Sequence, residues 1–250
     1  MSNTLIAISY SPWSEKARWA LDHHNIPYKE REYVPMLGEF MLRTIRKNLT
    51  GKATVPVLIT NGKVLTDSFD IAKHSEWYGS GTSLFPQGGE QAMLNWNQKS
   101  ETALAAGRAL VTHAMLNNTK ALRESLPRSI PKVIHPLMEP VAQMGASFIV
   151  KKYGLTSRSL PHYEEEIRNV LRALREALKQ TEMYLLDYFS YADIAMAVVL
   201  QMVSPVNTRY ITLGPETQGC WTNSVLSQEF SDLIHWRDEL YRRHRPVKNL

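Results

Sequence analysis

The hydrophobic pattern of the first 80 residues changes repeatedly between the period of a strand and the period of a helix. Short apolar runs of strand length, the first at residues 4–8, are followed by amphipathic segments or by a tight turn at Asn61-Gly62. The predicted elements, in chain order, are strand 4–8, helix 14–25, strand 28–34, helix 39–47, strands 55–59 and 63–65, and helix 69–78. This order predicts a compact α/β domain with parallel pairing in its strand-helix-strand portions and an antiparallel hairpin at one edge.

The second part of the chain has the 3.6-residue period of helices, and no strand pattern competes with it except an ambiguous stretch at 210–213. Helices are predicted at 90–116, 130–152, 162–186, 190–203 and 225–244. Ser190 and Asp193 form a reciprocal cap directly before an apolar run, which predicts a helix in the core. Residues 204–224 contain two prolines and two glycines, and they are either ordered over a ligand or loose.

The composition changes to Gly, Ser, Thr, Pro and Gln between the two patterns, as it does in linkers. We therefore expect an α/β domain at 1–80, a linker at 81–89 and an all-helical domain at 90–250. A chain of 250 residues is long enough for two domains of ordinary size.

Composition and charge argue against several classes of function. The chain has no apolar run near bilayer length and no signal-peptide pattern at its N-terminus, so we expect no membrane association and a cytoplasmic location. Cys220 is the one cysteine, which excludes an intramolecular disulfide and a thiolate cluster, and no His-Glu-x-x-His motif occurs, so we expect no metal. The net charge of +5 favours small anionic ligands but is too modest to indicate nucleic acid.

Ser11 stands where the first predicted strand gives way to the first helix. A hydroxyl there lies beside unpaired backbone N–H groups and the positive end of the helix dipole, so it suits an anionic sulfur, phosphate or carboxylate. The alternative is that Ser11 only closes the turn and that Ser14 caps the helix start. Lys16 and Arg18 are interpreted as solvated charges of the first helix, with Arg18 able to pair with an acid near residue 67.

Four motifs in this order and at these spacings resemble the glutathione transferase superfamily over nearly the whole chain. They are Ser11-Pro12-Trp13-x-x-Lys16-x-Arg18, Val55-Pro56-Val57-Leu58, Asp67-Ser68-x-x-Ile71-Ala72, and Ser190-Tyr191-Ala192-Asp193-Ile194-Ala195. The resemblance implies a thioredoxin-like first domain, a helical-bundle second domain, glutathione as cosubstrate and assembly as a homodimer.

The resemblance also implies where glutathione binds. Val55, before a cis proline at Pro56, matches the residue whose backbone pairs with the cysteinyl part, and Asp67 with Ser68 matches the pair that receives the γ-glutamyl end. Lys52 corresponds to a basic residue near the glycyl carboxylate. An extended peptide can add to the exposed backbone at Val55 as a short strand.

Ser11 corresponds to the residue that contacts the glutathione sulfur. We expect its hydroxyl to donate a hydrogen bond that favours the thiolate, which attacks an apolar electrophile. Serine itself is neither nucleophile nor base here, because no Gly-x-Ser-x-Gly turn surrounds it and no His-Asp relay can be assigned. The candidates for the acceptor pocket, which also suit an ordinary core, are Tyr10, Trp13, Met115 and Trp221.

The expected activity is that of a serine-type glutathione transferase in detoxification. The alternatives are glutathione-dependent isomerisation or ether cleavage at the same site, or a non-catalytic binding protein on the same scaffold. Thiol reduction is disfavoured because position 11 is not a cysteine.

Overall fold

The structure is a computed structural model that describes residues 3–50, 52–126, 130–181 and 183–247. Its first domain contains four strands and three helices. They are β1 (Asn3–Ala7), α1 (Pro12–His23), β2 (Tyr28–Glu32), α2 (Glu39–Ile45), β3 (Val57–Thr60), β4 (Lys63–Leu65) and α3 (Ser68–Tyr78). The element order is the one that the hydrophobic pattern predicts.

The four strands form one sheet in the order β2-β1-β3-β4. The β1 and β2 strands are parallel, whereas β3 pairs antiparallel with both β1 and β4. Alternate residues of β1 point to opposite faces. Leu5 packs with Leu21 of α1 and Ile71 of α3, and Ile6 packs on the other face with Leu42 of α2. The thioredoxin-like first domain is thus confirmed.

The rest of the described chain is helical. Its α-helices are α4 (Glu90–Leu116), α5 (Thr119–Glu124), α6 (Glu139–Tyr153), α7 (Leu160–Thr181), α8 (Tyr191–Ala197), α9 (Pro215–Trp221), α10 (Ser224–Glu229) and α11 (Ser231–His244). Two 3-10 helices, Lys132–Ile134 and Val198–Met202, accompany them. The predicted all-helical architecture is confirmed. Residues 79–89 contain no helix or strand, although Leu84 is buried there.

Several predicted helices differ in detail from the structure. The segment 130–152 begins with a 3-10 turn and becomes α-helical only at Glu139, because Pro140 suits the first turn of a helix. The connection 204–224 contains α9, which begins at Pro215. The ambiguous stretch 210–213 forms no strand. The predicted cap of α8 is confirmed, because Ser190 and Asp193 form a complete capping box.

Lys16 and Arg18 are buried, so the prediction that they are solvated is wrong. Helical residues from the second part of the chain cover α1, and both cations have carboxylate partners. Lys16 Nζ lies 2.8 Å from Glu101 Oε1. Arg18 pairs at 3.0 Å with both Glu15 and Glu30, and not with the acids near residue 67.

Candidate functional site

A cavity of about 440 Å³ lies between the first domain and helices α4, α6 and α9. The first domain contributes the loop that leads into α1 and the loop before β3. The predicted site residues that line the cavity are Tyr10, Ser11, Trp13, Val55, Met115 and Trp221. The predicted residues Lys52, Pro56, Asp67 and Ser68 are outside its lining.

Ser11 caps the N-terminus of α1 and is partly exposed to the cavity. Its Oγ accepts a long hydrogen bond, 3.5 Å, from the backbone N–H of Ser14. The Ser14 hydroxyl is fully buried and accepts from the backbone N–H of Ile8 at 3.2 Å. The two hydroxyls therefore differ in their surroundings. The Ser14 hydroxyl is buried and joins the chain after β1 to the helix start, whereas Ser11 faces the cavity beside the helix N-terminus.

Val55 precedes Pro56 through a cis peptide bond and borders the cavity just before β3. The main-chain N–H and C=O of Val55 make no hydrogen bond to another described residue. These two groups are therefore available to an extended peptide laid beside the first domain.

Asp67 caps α3, and its Oδ1 accepts a hydrogen bond from Phe69 N–H at 2.8 Å. Burial raises the pKa of Asp67, and Glu101 and Asp70 add to this effect. Ser68 is only 1% exposed, and its hydroxyl faces Tyr191 of α8. Asp67 is exposed as a residue although its carboxyl is partly desolvated, whereas the Ser68 hydroxyl is directed into the core.

Lys52 is exposed at the other end of this region. Its carbonyl oxygen accepts from Arg46 Nη1 at 2.6 Å, and its Nζ lies 5.9 Å from the centroid of the Tyr153 ring. This position places a positive charge near the first-domain side of the cavity, next to the lining residues Ala53 and Tyr153.

Glu101 is a site residue that the sequence did not reveal. Its Oε2 accepts a hydrogen bond from Trp13 Nε1 at 2.7 Å, while its Oε1 pairs with Lys16. The carboxylate therefore joins α4 to α1 and fixes the tryptophan at the cavity wall. Residues 88 positions apart in sequence carry no local signal of such a contact.

Two cations at the cavity were also not predicted from the sequence. Arg108 lies over the rings of Trp13 and Tyr153, with its guanidinium carbon 4.0 and 3.8 Å from their centroids. Lys152 of α6 pairs with Glu39 of α2 at 2.9 Å, so it links the two sides of the cavity.

Tyr10 contacts the edge of Trp221 at a centroid distance of 5.9 Å. Burial, with a contribution from Glu32, raises the pKa of Tyr10 to about 12, so its hydroxyl is protonated at neutral pH. Cys220 is adjacent to Trp221 in sequence but does not line the cavity, and burial raises the pKa of its thiol. Ser11 and Tyr10 therefore each present a protonated hydroxyl group beside the N-terminus of α1, where both residues line the cavity.

The described part of the chain contains no group of three or more His, Cys, Asp or Glu residues that could hold a metal ion. No helix within the described residues is both long and apolar enough to cross a membrane.

Comparison with known proteins finds a family match within the first domain. The family model described as glutathione S-transferase, N-terminal domain, matches residues 10–76, which include the Ser11, Val55-Pro56 and Asp67-Ser68 motifs. The resemblance to the glutathione transferase superfamily is confirmed. A curated relative, the probable glutathione S-transferase of Nicotiana tabacum, is 22% identical over 237 residues, which cover 94% of this chain and 82% of the relative.

Solved glutathione transferase structures share the fold over nearly the full length. GSTFuA2 from Phanerochaete chrysosporium aligns with a TM-score of 0.63 at 15% identity and covers 99% of this chain and 100% of its own. A glutathione S-transferase from Methylobacterium radiotolerans, in complex with glutathione sulfonate, gives 0.60 at 17% identity, with 100% and 97% covered. The β-etherase LigF from Sphingobium gives 0.57 at 19% identity, with 97% and 96% covered.

Proposed function

We propose that this protein is a glutathione transferase that joins the glutathione sulfur to a small, largely apolar electrophile. The observation that carries the proposal is the Ser11 hydroxyl, which faces a mostly apolar cavity from the N-terminus of α1. A related fold with bound glutathione sulfonate supports the choice of cosubstrate.

In the proposed mechanism, Ser11 donates its hydroxyl hydrogen to the glutathione sulfur. The Oγ accepts from Ser14 N–H, which leaves the hydroxyl hydrogen free to point toward the ligand. This hydrogen bond and the α1 dipole favour the thiolate over the thiol. The thiol proton is released to solvent, the thiolate forms a bond to the electrophilic carbon, and the leaving group departs with its electron pair.

We propose that glutathione lies along the first domain, with its cysteinyl backbone against the N–H and C=O of Val55, which make no hydrogen bond to another described residue. The γ-glutamyl end meets Asp67 and the backbone N–H of Ser68 at the start of α3, since the Ser68 hydroxyl itself is buried. Pro56 sets the direction of the chain at Val55, and Lys52 faces the glycyl carboxylate. The acceptor occupies the space bounded by four residues, Tyr10, Trp13, Met115 and Trp221.

Replacing Ser11 tests this mechanism. In Ser11→Ala, the pKa of bound glutathione should rise by about one unit, which is about 1.4 kcal/mol of lost thiolate stabilisation. Thiolate absorbance measured against pH reports this pKa, and turnover of a chloronitrobenzene reports the reaction. Ser11→Thr keeps a hydroxyl and is the matched control. An unchanged thiol pKa and turnover in Ser11→Ala would show that the assignment is wrong.

Ether cleavage is the second candidate function, favoured by the shared fold with a β-etherase. The same thiolate would attack the carbon of a C–O bond, and the alkoxide would leave and take up a proton. Product analysis with an aryl ether and a chloronitrobenzene separates the two reactions. Binding of glutathione without turnover of either, or of an isomerisable substrate, would identify a non-catalytic binding protein.

We further propose a cytoplasmic homodimer with a role in detoxification, in which residues 81–89 link the units 1–80 and 90–250. Two aromatic residues at the end of α3, Trp77 and Tyr78, are 82% and 61% exposed, and such side chains are common in interfaces. Light scattering after size-exclusion chromatography measures the mass, and a monomer at micromolar concentration would contradict the dimer.

A further inference from the structure

The cavity has an excess of positive charge in its lining. Its charged residues within the described chain are Arg108 of α4 and Lys152 of α6, and no carboxylate lines it. The remaining walls are largely apolar or aromatic, so these cations stand out as the groups that can select a charged ligand.

The two cations differ in how they are satisfied. Lys152 donates to both carboxylate oxygens of Glu39 and to the carbonyl oxygen of Ala53. Arg108 makes no hydrogen bond or ion pair to any residue that the structure describes. Glu101 acts on it only at longer range, because its two oxygens bind Trp13 and Lys16.

The surroundings of Arg108 make this lack of a partner costly. The guanidinium is held against the faces of Trp13 and Tyr153, which offer cation–π attraction but accept no strong hydrogen bonds. Burial lowers the pKa of Arg108, although an arginine remains protonated at neutral pH. A wholly apolar ligand in the cavity would remove more water from this cation, whereas an anionic ligand would pair with it.

The position of Arg108 indicates which substrate would carry the anion. Val111 and Met115 follow it at spacings of three and seven, so the three residues share one face of α4 and all line the cavity. This face belongs to the helical side of the cavity, whereas Val55 belongs to the first domain. The guanidinium fork matches the two coplanar oxygens of a carboxylate and can bind them with two parallel hydrogen bonds.

We propose that the acceptor is an electrophile with a carboxylate and that Arg108 binds this carboxylate. The inference rests on the proposed transferase function, because it assigns the second substrate of that reaction. Trp13 and Tyr153 then hold the guanidinium in place, and the apolar walls accommodate the rest of the acceptor.

Calorimetry with two product analogues tests the proposal. S-(4-carboxybenzyl)glutathione and S-(4-methylbenzyl)glutathione have the same glutathione part and differ in one group of similar size. We expect wild type to prefer the carboxylate compound by about tenfold, the size of a charged hydrogen-bonded contact. Arg108→Met keeps most of the side-chain volume and should lose this preference. Lys99→Met, on the exposed side of the same helix, should keep it.

The other outcomes are also decisive. Equal or weaker binding of the carboxylate compound by wild type overturns the proposal without any variant, and so does a preference that survives in Arg108→Met and Arg108→Gln. A raised thiol pKa of bound glutathione in Arg108→Met, with the preference unchanged, would assign Arg108 to the sulfur instead. If folded wild type binds neither analogue nor glutathione, the proposed function fails, which is distinct from binding both analogues equally.

Discussion

The two sides of the cavity are held in place by different kinds of contact. The first-domain side depends on neighbours in sequence, since Ser11 N–H donates to Ile8 O and the Ser14 hydroxyl accepts from Ile8 N–H. The helical side depends on distant pairs, such as Trp13 with Glu101 and Lys152 with Glu39, which are 88 and 113 positions apart. The first-domain side is therefore a local structure, whereas the helical side exists only when the two parts of the chain are docked.

The largest expected loss of stability follows from disturbing the ion pairs that dock α1. Glu15 is fully buried and pairs with Arg18 at 3.0 Å and with Arg245, from the end of the chain, at 2.7 Å. In Glu15→Gln, two buried guanidinium groups lose their shared carboxylate, so the free energy of unfolding should fall by about 3 kcal/mol. Urea denaturation at pH 7 measures this loss.

Glu239, whose side chain is 28% exposed, provides a matched control, because it also pairs with two arginines, Arg242 and Arg243. Solvent screens that cluster, so Glu239→Gln should change stability little. Equal effects of the two substitutions would contradict the distinction between a buried docking cluster and a surface cluster.

Acidification should remove the stabilisation by Glu15. Burial alone would raise the pKa of Glu15, but the guanidinium groups of Arg245 and Arg18 outweigh burial and lower it. A lowered pKa in the folded state gives stability that is present above the unfolded value of about 4.3 and is lost as the pH falls through the folded value. The difference between wild type and Glu15→Gln should therefore be full at pH 7 and shrink below about pH 4.

An intermediate effect is expected at Ser14, and it sharpens the contrast with Ser11. Ser14→Ala leaves the Ile8 N–H without its acceptor in a buried setting, which should cost about 1–3 kcal/mol of stability. Ser11→Ala should change the thiol pKa of bound glutathione and reduce stability by only about 1 kcal/mol, the usual value of a cap. Thermal unfolding and thiolate titration of both variants separate the roles. A stable Ser14→Ala with a raised thiol pKa would reverse the two assignments.

The first-domain side of the cavity was predictable from the sequence because its contacts join residues that are close in sequence. A strand end, a proline and a hydroxyl before an amphipathic segment indicated the Ser11 turn, and Val55-Pro56 and Asp67-Ser68 were recognised as short motifs. The helical side gave no such signal, since the contacts of Glu101 and Arg108 with Trp13 are fixed by docking. Helix α9 was missed because Gly214-Pro215 indicated a loop, although proline also suits the first turn of a helix.

The change in stability expected at Glu101, where the two sides meet, is smaller than that at Glu15 or Ser14. Its side chain is 40% exposed, so solvent screens its pair with Lys16, and Glu101→Gln should cost only about 1–2 kcal/mol. The glutamine amide oxygen can still accept from Trp13 Nε1, whereas Glu101→Ala releases the indole. We expect the KM for the acceptor to rise in Glu101→Ala and to stay near wild type in Glu101→Gln, with Glu90→Gln in the first turn of α4 as the control. An unchanged acceptor KM in Glu101→Ala would show that Trp13 holds its position without the hydrogen bond from the helical side. Dependence on docking would then be a property of α4 and α6 alone and would not extend to Trp13.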